Sequence, residues 1–164
     1  MNKEEKIAAF DPSSMAEGDQ LFGLPFSESE SDIVILPVPW EVTVSYRAGT
    51  AKAPIAILEA SRQVDLYDAD VQDAWKYGIY LKKVNKKIAK WGKELRAKAE
   101  NYLSFLEDDA DTAPDKSLLK MLEEINVGGT GLKDWVQEEM RDILHKGKMP
   151  GLLGGDHSTP LGFI

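Results

Sequence analysis

Cysteine is absent from the 164-residue sequence, which removes a disulfide framework, a thiolate zinc site, an iron–sulfur cluster and a cysteine nucleophile. Histidine is scarce: His145 and His157 are the two imidazoles available. Long apolar runs are missing as well. No window approaches the ~18–20 apolar residues that span a bilayer. The N-terminal MNKEEKIAAF sets only a short apolar patch among charges, unlike an export leader. A cytoplasmic protein with no membrane association is expected. Positive charge is in deficit, with 20 Lys+Arg against 28 Asp+Glu and a net charge of −8. Affinity for phosphate backbones comes from Lys and Arg displacing counterions, so this balance argues against nucleic acid as a partner.

What is present fits a globular α/β chain. Hydrophobic residues make up 43%, and a chain of about 150 residues buries roughly two-thirds of its surface, enough for one real core. The charge is uneven: Lys76 to Lys98 holds nine Lys/Arg and one Glu. Those lysines interleave with an apolar stripe and few aromatics, which suits the solvated face of a helix better than a docking strip.

Residues 1–31 carry no sustained period and read as an irregular arm with one short helical turn. At Asp32 the texture changes. The β-branched run Ile33-Val34-Ile35-Leu36, ended by Pro37-Val38-Pro39, predicts a strand buried on both faces, as in a parallel sheet. Ala53-Pro54 opens a helical pattern through Ile55 and Leu58 to about Val64, and Tyr77 to Leu81 is a second possible strand. From Lys86 the period is helical, with Ile88, Trp91, Leu95, Ala99, Tyr102, Leu103 and Leu106 on one stripe. After the acidic stretch Glu107 to Asp115, Leu118 to Ile125 predicts a helix closed at Val127-Gly128-Gly129. Another is expected from Gly131 to about Lys146, with Thr130 as its cap. Trp91 and Trp135 fall on these stripes and read as core. Gly151-Leu152-Leu153 reads as a short buried strand left through Gly154-Gly155. Strand, helix, strand, helices, strand implies α/β layering on a largely parallel sheet.

The segment Gly154-Gly155-Asp156-His157-Ser158-Thr159 is the most informative for chemistry. Ligands of open α/β sheets bind at the carboxyl ends of strands, and an acid, an imidazole and two hydroxyls fall there. The imidazole there is open to three readings: metal ligand, general base or hydrogen-bonded core residue.

Gly154-Gly155-Asp156-His157-Ser158 resembles the GGDHS motif of the ureohydrolases: arginase, agmatinase, formimidoylglutamase and guanidinobutyrase. Asp32-Ile-Val-Ile-Leu-Pro-Val-Pro-Trp40, then Ser45-Tyr-Arg-Ala-Gly-Thr50 and Ala53-Pro-Ile-Ala-Ile57, look like that family's first strand, arginine-glycine-threonine loop and first helix, in order. The resemblance implies a three-layer, mostly parallel sheet flanked by helices, with 32–164 the N-terminal portion of one such domain. The stretch from Asp65 to Lys148 is then a helical insertion. It further implies a dinuclear Mn²⁺ site with His157 as one ligand. Asp156 is not a ligand in the family and is given a supporting or backbone-organising role; Ser158 is read as capping the next helix. The resemblance further implies that the metals of an intact enzyme would activate water toward a guanidinium carbon, so that urea and an amine are the expected products.

The remaining ligands of the family come from an Asp-x-His-x-Asp motif and a later Asp-x-Asp run, and neither follows Ser158. The sequence is therefore expected to represent the N-terminal half of a ureohydrolase, inactive by itself. The intact form is expected to act on a small guanidino substrate, agmatinase-like, and to form a homo-oligomer. Arginase or formimidoylglutamase specificity is the alternative within the family; a non-catalytic module that kept the fold is the alternative outside it. Asp65, Asp68, Asp70 and Asp73 lack the glycine and terminal Glu of a calcium loop. Gly128-Gly129-Thr130-Gly131 lacks a phosphate-loop continuation. Arg47 reads as structural, and His145 as a favourable charge at a helix end.

Overall fold

The apolar run after Asp32 forms the central strand of a three-stranded sheet. In the computed structural model, which describes residues 1–44, 47–108 and 112–164, β1 (Ile33–Pro37) pairs in parallel with β2 (Ile79–Leu81) on one side and β3 (Met149–Leu153) on the other. Ile33 lies opposite both Ile79 and Met149, and Pro37 opposite Leu153. Strand neighbours on both sides explain the apolar composition: Val34 and Leu36 are buried, with Ile33 and Ile35 half-buried on the alternate face. Parallel strands need crossover connections, and here those include helices, so the fold is α/β.

The chain divides into two compact units. The first comprises Met1–Pro37, Pro54–Lys83 and Met140–Leu153 and contains the sheet. The segment before β1, expected as an irregular arm, holds α1 (Lys3–Ala9), started by a reciprocal capping box between Asn2 and Glu5. Leu24, Phe26 and Trp75 form a buried cluster with Ile7, Phe10, Phe22, Leu66 and Ile79 against it. The Phe10 and Trp75 rings lie 5.0 Å apart. Most of α2 (Ala53–Ala60) belongs to this unit, and a 3₁₀ turn, Ser61–Gln63, follows it. There the Ser61 hydroxyl accepts the Phe22 amide at 2.9 Å.

The second unit comprises Val38–Ala53, Val84–Glu139 and Gly154–Ile164. Its long helices start where side-chain oxygens take free amides. Asn85 Oδ1 accepts from Lys87 and Ile88 at the start of α3 (Lys86–Asp108), and Asp115 Oδ1 accepts from Leu118 at the start of α4 (Lys116–His145). The apolar stripe of α3 buries Ile88, Leu95 and Ala99, and α4 buries Leu132 and Val136 here. Asp109, Ala110 and Asp111 of the expected acidic loop lie outside the described residues.

One expectation is overturned. Helix α4 runs without a break through Gly128-Gly129-Thr130-Gly131, where a stop and a restart were expected. A side chain at Gly128 would come within 2.1 Å of Leu95 Cδ1, and one at Gly131 within 2.4 Å of Trp91 Cη2. These glycines serve close packing against α3. Thr130 is no cap: its hydroxyl donates back to the Asn126 carbonyl at 3.1 Å. The actual helix end is in the first unit, where Gly147 adopts φ 70° and the Lys148 amide returns to the Ile143 carbonyl. Among the described residues no helix is long and apolar enough to cross a membrane.

Candidate functional site

All the polar contacts of the Gly154–Ser158 loop described here fall within the second unit. Gly154 and Gly155 have φ of 95° and 85°, a left-handed turn that side chains resist. At Gly155 a Cβ would lie 2.0 Å from Thr159 Oγ1 and 3.1 Å from the Trp40 carbonyl oxygen. Thr159 Oγ1 is itself buried without a hydrogen-bond partner among the described residues.

Asp156 follows, and both of its carboxylate oxygens are engaged. Oδ2 accepts the Thr43 amide at 2.9 Å and the Thr43 hydroxyl at 3.2 Å. Oδ1 accepts the Ser158 amide at 3.0 Å and the Ser158 hydroxyl. The Asp156 amide donates to the Trp40 carbonyl at 3.0 Å, and the Gly155 amide to that of Thr50 at 3.4 Å. Asp156 thus ties the stretch after β1 to the stretch after β3 and shapes its own turn. The capping expectation for Ser158 is corrected by the same contacts. Ser158 is helical in backbone, φ −77° and ψ −18°, and makes no side-chain cap to the 3₁₀ turn Thr159–Gly162. The oxygens that organise this turn belong to Asp156. His157, between them, is exposed.

The loop after β1 has its own staple. Glu41 Oε2 accepts the Ala51 amide at 3.2 Å, the Gly49 amide and the Thr50 hydroxyl. Burial pushes the Glu41 carboxyl up, but the Gly49 and Ala51 amides, the Thr50 hydroxyl and the nearby Arg96 charge outweigh it and hold the carboxyl below its ordinary value. Arg47 is exposed, while Ser45 and Tyr46 of the same expected loop lie outside the described residues. Neither Glu41 nor Thr43 stands out in the sequence; their proximity to the Trp40 patch was the available signal.

Among the described residues, no three His, Asp or Glu side chains converge as a metal site would require. His157 is one imidazole, and the oxygens of Asp156 are occupied by amides and hydroxyls. The described donors do not by themselves fit a dinuclear manganese site. His145 lies at the C-terminal end of α4 in the first unit. Asp68 accepts the Asp70 and Val71 amides, and Asp73 pairs with Lys76 at 2.7 Å.

The loop thus offers a two-glycine turn, an aspartate whose oxygens are engaged and an exposed histidine. The arginase family model matches residues 31–164, and the chain belongs to that family. Over 45 residues it is 42% identical to N(1)-aminopropylagmatine ureohydrolase of Synechocystis sp., a stretch covering 27% of this chain and 15% of that protein. No solved structure matches.

Proposed function

We propose that this chain carries the His157 segment of a manganese-dependent ureohydrolase, which hydrolyses a small guanidino compound to urea and an amine with agmatinase-like preference. The observation that carries this reading is the family match across 31–164, combined with a Gly154–Ser158 loop whose aspartate is spent on loop architecture while His157 is left exposed. The similarity to N(1)-aminopropylagmatine ureohydrolase supports the substrate class.

In this reading His157 binds manganese through its imidazole, and Asp156 fixes the backbone on both sides of it. The other ligands come from residues that the described chain does not bring together. The isolated 164 residues are accordingly inactive, and the intact protein is a cytoplasmic homo-oligomer. Arginase or formimidoylglutamase specificity is the neighbouring alternative. A non-catalytic module is the second reading, favoured by the lack of a three-ligand cluster among the described residues.

The experiment is a urea-release assay on the native protein that contains this chain, with arginine, agmatine and guanidinobutyrate in turn. Release from agmatine, abolished by His157→Ala, is expected. No urea from any guanidino compound, by a manganese-loaded and folded protein, would sink the proposal; absence of formamide release from formimidoylglutamate as well would favour the module.

A further inference from the structure

The insertion helix α3 reaches the segment that holds Asp156. Gly92 lets α3 approach closely: a side chain there would meet the Trp40 ring at 3.1 Å and the Pro39 carbonyl oxygen at 3.5 Å. The Trp40 and Trp91 rings make an edge contact at 5.7 Å. One turn further along, Arg96 Nη1 donates to the Val44 carbonyl at 2.8 Å and lies 3.4 Å from those of Glu41 and Val42. Its Nε is held by Glu100 at 2.7 Å, with the side chain 20% exposed.

The carbonyls of Glu41, Val42 and Val44, on both sides of Thr43, thus lie against one guanidinium nitrogen. The amide and hydroxyl of Thr43 itself donate to Asp156. We propose that Arg96 is a positioning residue for the His157 loop: it holds the 41–44 carbonyls so that Thr43 meets Asp156. Its importance for catalysis rests on the ureohydrolase reading, but its structural effect does not. The fork is specific to arginine, since a lysine ammonium is a point donor without the planar guanidinium. The helical insertion then supports the site loop in addition to filling core.

The test is amide–water exchange at Thr43, measured by NMR on the full 164-residue chain. Thr43 does not touch Arg96 through its amide, so a loss of helix packing alone would not single it out. In Arg96→Ala, exchange at Thr43 is expected to rise at least about tenfold, the scale of a lost charged hydrogen bond, with Val136 in α4 unchanged. Arg96→Lys should fall in between. Should Arg96→Ala not fold, Arg96→Lys is combined with Asp156→Asn. The double variant is expected to exchange no faster at Thr43 than the faster single one. Unchanged exchange at Thr43 in Arg96→Lys, or fully additive effects in the pair, overturns the proposal. Absence of urea release with this coupling intact would count against the functional reading alone.

Discussion

The Thr43 amide donates to Asp156 Oδ2 at 2.9 Å across 113 positions of sequence. One carboxylate thereby joins two loops that follow neighbouring parallel strands, and His157 is the next residue along.

Asp156→Ala should leave the Thr43 and Ser158 amides without their acceptor. The Thr43 bonds are exposed and the Ser158 bonds partly buried; a hydrogen bond to a charged group is worth about 1.5–3 kcal/mol, so a stability loss toward the lower end of that range is expected in urea melts. Asp156→Asn, which keeps one acceptor oxygen, should lose less. Equal stability of Asp156→Ala and the parent would show that the carboxylate does not organise the loop.

The glycines of α4 make a sharper prediction, because the usual rule changes sign within four residues. Gly129 faces open space, and Gly129→Ala should stabilise the chain by about 0.5–1 kcal/mol through helix propensity. At Gly131 the new methyl would meet the Trp91 ring at 2.4 Å, an overpacking that costs about 1–3 kcal/mol. Thermal melts of the two single variants decide it. A stabilising Gly131→Ala would mean that α3 and α4 are not in close contact there.

Gly147 and Gly155 separate strain from clash. Both have positive φ, 70° and 85°, and alanine in such a conformation costs about 1–2 kcal/mol. Gly147 has nothing within 4 Å, whereas a Cβ at Gly155 meets Thr159 Oγ1 at 2.0 Å. Gly155→Ala should therefore destabilise more than Gly147→Ala in the same urea melts, and the reverse order would contradict the geometry of the turn.

Acid should release the Glu41 staple. The folded carboxyl lies below its ordinary value of 4.5, so its contribution is fully present above that value. It is lost as pH falls through the lower folded value. Protection of the Gly49 and Ala51 amides, taken as exchange relative to the intrinsic rate at each pH, should hold from neutral pH down to about 4.5 and fall only below it. A loss of protection already between pH 7 and 5 would contradict the direction of the shift.

The central strand was legible because a β-branched run between Asp32 and two prolines has few alternatives to a buried strand. The GGDHS resemblance pointed to the same loop that the structure organises around Asp156. Other features had no local signature. Glycine marks a helix end or a close approach with the same letter, and only Leu95 and Trp91, about 33 and 40 positions away, reveal which applies at Gly128 and Gly131. Ser158 and Asp156 both offer an oxygen to the same turn; the helical backbone of Ser158 settles the choice. Thr43, Glu41 and Arg96 are ordinary polar residues until folding brings them together. The packing of residues 1–31 on Trp75 likewise depends on apolar partners too sparse to show a period.

The most direct measurement is the manganese content of the native protein that contains this chain, compared between the parent and His157→Ala at equal folded concentration. The account predicts about two manganese ions per chain in the parent and a marked loss in the variant, with Asp156→Asn falling between them. Equal manganese in parent and His157→Ala, or none in either after loading, would contradict the assignment of His157 as a metal ligand.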